Sequence, residues 1–199
     1  MTKKILFNDK YRLTQAVLAG TKTMTRRVLK EGTPLGNWAE TEKHLPYKVG
    51  EVVAIAQSYK NMYSEMIVDF AKHNYHIPRE DAAEKFKKVY ESYAGWSNKM
   101  FVRANLMKHH IKITDVKVER LQSISDEDIL REGIRKDGYA GGCMYFYNKT
   151  YIRKGNTIVN PIYNTTPMSA FASLMYKVCG GEVWESNPWV VAYSFELVD

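Results

Sequence analysis

No window of the 199-residue sequence approaches the 18 or more consecutive apolar residues of a membrane-spanning helix. The opening MTKKILFNDKYR starts with paired lysines but has no apolar run of signal-peptide length, so no secretion signal is expected. Cysteine is scarce. Cys143 and Cys179 lack the Cys-x-x-Cys spacing of a metal or redox site, and are expected to be buried free thiols of a reducing compartment, which points to a cytoplasmic protein. There is no internal repeat, no low-complexity tract, no Gly-rich phosphate loop and no Gly-x-Ser-x-Gly elbow. His73-x-x-His76 offers two imidazoles without a third ligand at convincing spacing, so neither a metal nor a cofactor is expected.

What remains is an ordinary globular composition, 45% hydrophobic and 26% charged. The length suits one domain with a core that needs no staples. The net charge of +7 is unevenly placed: residues 1–30 hold eight bases and one acid, whereas the rest of the chain is balanced. Such a segment reads either as a field that gathers a polyanion or as a solvated basic helix.

Along the chain, Asn8 or Asp9 can cap a short helix carrying Tyr11, Leu13, Val17 and Leu18, with Gly20 at its C-terminal end. TKTMTRRVL reads as a turn entering a strand, EGTPLGN as loop, and Val52 to Ala56 as a buried strand. Residues 58–98 look like an insertion whose helix runs from Arg79 to Tyr93, with Pro78 in its first turn and Ala82, Ala83, Phe86, Val89, Tyr90 and Tyr93 at helical spacing. In Ile111–Leu121 the apolar phase slips by one residue near Thr114–Asp115, as a β-bulge would require. Ser125 opens a helix ending at Gly133. Residues 135–165, rich in Gly, Tyr and Asn, read as a second, irregular excursion. Thr166-Pro167 starts a helix closed by Gly180-Gly181, and Trp189–Leu197 alternates as a clean strand. The pattern predicts a single α+β domain built on a small, mixed but mostly antiparallel β-barrel, with flanking helices and a helical insertion; the C-terminal strand would complete the barrel.

Three local features carry candidate chemistry. Gly20-Thr21-Lys22-Thr23-Met24-Thr25-Arg26-Arg27 joins a glycine turn, a lysine, threonine hydroxyls and two arginines. Arginine grips phosphate or carboxylate in a bidentate way, a desolvated lysine can act as a base, and a threonine needs such a base to become a nucleophile. Val116–Leu121 is followed by a helix carrying Glu132, placed where the helix dipole disfavours an anion. Trp184 and Trp189 flank an Asn-Pro turn, as a base-stacking platform or as a plug for the end of a barrel.

Together these features resemble the ASCH superfamily, relatives of the PUA RNA-binding domain, in a form similar to phage and prophage members. LAGTKTMTRR matches the signature G-x-K-x-x-x-x-R through Gly20, Lys22 and Arg27. YKVGEVV, ITDVKVERLQSISDEDILREGI and WESNPWVVAYSFELV are similar to the blocks that follow. The resemblance implies a PUA-like barrel that binds RNA or modified nucleosides in a cleft beside the turn, with Gly20, Arg26, Arg27 and Trp189 as ligand contacts. One branch of the superfamily deacetylates N4-acetylcytidine. By motif its nucleophile, base and proton shuttle fall on Thr25, Lys22 and Glu132. A third alternative is a mobile-element factor that binds a protein through 58–98.

Overall fold

The computed structural model describes residues 2–72, 80–139, 141–154 and 156–198. In chain order its elements are β1 (Lys4–Ile5), α1 (Leu13–Leu18), β2 (Met24–Val28), α2 (Trp38–Lys43), β3 (Val52–Ile55), α3 (Tyr59–Lys72), α4 (Glu80–Tyr90) and β4 (His110–Arg120). There follow α5 (Asp126–Arg131), β5 (Arg135–Tyr139), β6 (Gly142–Arg153), β7 (Asn156–Asn164), α6 (Pro167–Cys179), α7 (Gly181–Glu185) and β8 (Trp189–Leu197). The class is α+β, with mostly antiparallel pairing. Among the described residues no helix is long and apolar enough to cross a membrane. The chain divides into two compact units, Met1–Leu6 with Ala54–His110 and Phe7–Val53 with Ile111–Asp199.

The larger unit is organised by β8. Val190 through Phe195 are all buried, so this strand is covered on both faces, as suits the middle of a sheet. Accordingly β8 pairs antiparallel with β2 on one side and with β4 on the other. It does not close a barrel: among the described residues β2 ends the strand order as an edge, and the sheet stays open. The phase slip is real, since Ile113 pairs with Phe195 and Asp115 with Ser194, which leaves Thr114 as the extra residue.

The excursion expected at 135–165 is not irregular. It folds as a three-stranded antiparallel sheet, β5-β6-β7. Its sequence hides this because only Tyr147 of β6 is fully buried, so alternation of apolar and polar residues is weak there. Tyr147 meets Tyr11 edge-on at 6.0 Å and bonds the Ser173 hydroxyl at 2.9 Å. Neither cysteine is buried: Cys143 lies on the outer sheet and Cys179 ends α6, both free and exposed.

Helix ends follow their local chemistry. Asn8 caps only a 3-10 turn at Asp9–Tyr11, because Arg12 enters the left-handed region (φ 54°) and α1 starts afresh at Leu13. α1 ends in a Schellman turn, in which Thr21 N donates to Ala16 O and Gly20 N to Val17 O, both at 2.9 Å, with Gly20 at φ 68°. Ser125 Oγ accepts from Asp128 N at the start of α5. Thr166 and Ser169 exchange hydrogen bonds of 3.1 Å in a capping box at α6.

The smaller unit takes in the described residues of 58–98 and has its own core. Ala54, Tyr59, Val102 and Met107 are buried there, packed against Met62, Phe86, Tyr90 and Trp96. Tyr59 stacks on Tyr90 at 4.3 Å. Gly95 fits because a Cβ would come within 2.6 Å of the Tyr59 ring. Lys4 Nζ donates to the carbonyls of Lys99, Met100 and Val102, which binds the N-terminal segment to these 3-10 turns. α4 turns Ala83, Phe86 and Tyr90 inward, while Ala82, Val89 and Tyr93 are exposed. The longer α3 was not anticipated, and Pro78, His73 and His76 lie outside the described residues.

Because the capping box satisfies backbone donors at the start of α6, Thr166→Ala should cost about 1 kcal/mol. Chemical denaturation would measure this as a lower midpoint with an unchanged slope.

Candidate functional site

Lys22 leaves the Schellman turn and is 2% exposed. A buried ammonium requires a partner, and Glu132 provides two. Lys22 Nζ donates to the Glu132 carboxylate at 2.6 Å and to the Glu132 carbonyl at 2.7 Å. The second bond places a cation on the C-terminal carbonyls of α5, where the dipole favours it. Glu132 therefore occupies the unfavourable helix end that its sequence position suggested, buried and neutralised there.

Arg26 joins the same carboxylate from β2, with Nη1 to Glu132 Oε1 at 3.0 Å. Its remaining donors go to Glu119 Oε1 at 2.9 and 2.5 Å and to Asp128 Oδ2 at 3.2 Å. Asp128 also receives Lys117 at 2.5 Å and Arg131 at 3.1 Å, and Arg131 reaches Ser194 Oγ at 2.8 Å. Four cations thus meet three carboxylates drawn from the turn, α5, β2 and β4. Burial pushes the Lys22 amine below its ordinary range; the attraction of Glu132 opposes this and the nearby arginines add to it. Desolvation alone would raise the Asp128 carboxyl, but Lys117, Arg26 and Arg131 outweigh it and hold it below its ordinary range.

Thr25 lies apart from this cluster. The register pairs it with Tyr193 and pairs Arg26 with Ala192, so the two side chains leave opposite faces of the sheet. Among the described residues the Thr25 hydroxyl bonds neither Lys22 nor Glu132. Its neighbour Tyr193 is no base at neutral pH, since burial pushes that phenol up to about 12. Of the expected Lys–Thr–Glu set, two residues meet directly and the third faces away. Gly20 serves the turn, with open space around it.

Arg27 pairs with Val191 and so shares the face of Thr25 and Tyr193. Trp189 is on that face too, paired with Arg120, whose guanidinium sits 4.7 Å from the indole centroid. Beside Trp189 opens a cavity of about 460 Å³ lined by Leu35, Trp38, Thr41, Val116, Lys117 and Val118. Trp189 is 38% and Trp38 47% exposed. Trp184 instead packs edge-on against Phe171, and the two tryptophans around the Asn-Pro turn form no joint platform. Among the described residues no three of His, Cys, Asp or Glu are grouped so as to hold a metal ion.

Sequence reading missed Lys117, Glu119, Asp128, Arg131 and Gly133. The signal was present: Lys117 and Glu119 alternate with Val116 and Val118, and Asp128, Arg131 and Glu132 recur at helical spacing. Gly133 (φ 98°) lies against Lys22, whose Cβ a methyl group there would approach to 3.4 Å.

Comparison of the chain with protein families, curated proteins and solved structures returns no match.

Removing the carboxylate from the buried pair leaves an uncompensated ammonium, so Glu132→Gln should cost about 3–5 kcal/mol in denaturant unfolding. Asp128 yields a pH prediction. A carboxyl held below its unfolded value of 3.8 contributes stability above that pH, and the contribution is lost as pH falls through the lower folded value. Asp128→Asn should flatten the acid limb of a stability profile below about pH 4 while lowering stability at pH 7.

Proposed function

We propose that the chain is an ASCH-type, PUA-like protein that binds RNA or a modified nucleoside. The observation that carries this reading is the cavity flanked by two half-exposed indoles, with Arg120 over one of them and Arg27 on the same sheet face. Bases stack on such rings without needing sequence readout, and guanidinium groups add cation–π attraction and phosphate contacts. The sequence pointed to Lys22, Arg26 and Arg27 as the phosphate grip. Lys22 and Arg26 donate to Glu132, Glu119 and Asp128, so in this reading Arg120 beside Trp189 makes the phosphate contact.

The test is fluorescence anisotropy with short single-stranded RNAs. Trp189→Ala should weaken binding by about 1–3 kcal/mol per stacked base, and affinity should fall between about 50 and 200 mM salt. Binding that is indifferent to both would refute the reading.

A second reading is favoured by one feature, the buried Lys22 amine lowered in pKa against Glu132, since shifted, paired groups mark many catalytic sites. In it, water hydrolyses N4-acetylcytidine to cytidine and acetate, with Lys22 as base and Glu132 as proton shuttle. Thr25 would have to reach the pair from the opposite face to act as nucleophile. Purified protein should then release cytidine, and Lys22→Ala and Glu132→Ala should each abolish release. Turnover that survives both substitutions would refute it.

A further inference from the structure

A second cavity, of about 240 Å³, lies behind the Gly20 turn, lined by Tyr11, Arg12, Gln15, Thr21, Arg135 and Asn148 among others. It includes none of the seven residues that the sequence singled out. Gly133 links it to the ionic cluster, lining the cavity while lying against Lys22. Pockets for drug-sized ligands run about 300–1,000 Å³, so this one suits something smaller.

Its charge is one-sided. Two arginines line it and, among the described residues, no Asp or Glu does. Among the described residues no ion pair engages Arg12 or Arg135; Arg135 rests on the Phe146 ring at 5.4 Å. Elsewhere in this unit Arg26 and Arg131 are held by carboxylates, so the contrast is local. Arg12 is brought there by a left-handed residue (φ 54°) between the 3-10 turn and α1, a conformation that a non-glycine residue adopts at a cost. Gln15 is also uncommitted, since its Oε1 is buried and no described residue donates to it. Asn148 of β6 lines it as well.

We propose that this cavity binds a phosphate monoester or inorganic phosphate, held between the Arg12 and Arg135 guanidinium groups, with Gln15 accepting from a protonated oxygen or neighbouring N–H. A tetrahedral group carrying ≈ −1.5 to −2 charges at neutral pH matches two forked guanidiniums better than a monoanionic carboxylate does. The site is independent of the Trp189 cavity and of the Lys22–Glu132 pair.

The test is calorimetric titration of the full chain with inorganic phosphate, a monophosphate that has no base to stack on Trp189 (ribose 5-phosphate) and acetate at low salt. Saturable binding of phosphate over acetate is expected, weakened about tenfold or more by Arg135→Gln, an exposed position whose variant should fold normally, and similarly by Arg12→Gln. Binding of the monophosphate at least as tight as phosphate identifies a monoester as the occupant, and binding of phosphate alone identifies the free ion. Trp189→Ala should leave all of this unchanged, which separates the proposal from RNA binding. Absence of saturable binding, or binding that Arg135→Gln leaves intact, overturns it.

Discussion

The buried contact between Lys22 and the two acceptors of Glu132 is the constraint around which the larger unit is arranged. An ammonium with 2% exposure is tolerable only if its partner is held in place, and Glu132 is held by the end of α5 and by Arg26. Arg26 in turn needs Glu119 on β4 and Asp128 on α5, and Asp128 needs Lys117 and Arg131. Each charge is thus the reason for the next, and the chain of pairs joins the turn, one helix and two strands. Gly133 completes it, since a larger residue at positive φ would press on the lysine stem.

This arrangement changes the meaning of the charge distribution. Residues 1–30 carry the entire net excess, yet Lys22 and Arg26 spend their charge on carboxylates from 119–132, and Lys4 is taken up by three carbonyls. Two of the eight bases of that run are thus neutralised in space. Of that run Arg12 lines a cavity, together with Arg135 from outside it, and Arg120 lies at Trp189. Electrostatic attraction for phosphates depends on what is left after local pairing, so net charge along the chain overstates it at the turn and misses it elsewhere.

The sheet also divides the expected site. Alternation along β2 sends Arg26 toward α5 and sends Thr25 and Arg27 to the face that carries Tyr193 and Trp189. Residues adjacent in sequence therefore serve two surfaces: one is a closed ionic cluster, the other borders an open aromatic cavity.

Where the chemistry is local, the sequence determined the outcome by itself. The caps at Ser125 and Thr166, the Schellman turn at Gly20, the bulge at Thr114 and the alternating β8 each rest on interactions spanning a few residues or on one strand's own pattern. Tertiary structure decided the rest. The β5-β6-β7 sheet was illegible because its strands bury little, and α3 because its partners lie in the core formed with Val102 and Met107. Whether β8 would close a barrel or run down the middle of an open sheet depended on which strands came to flank it. The pairing of Lys22 with Glu132, 110 residues away, was open for the same reason: a desolvated charge demands a partner, but only the folded chain says which one arrives.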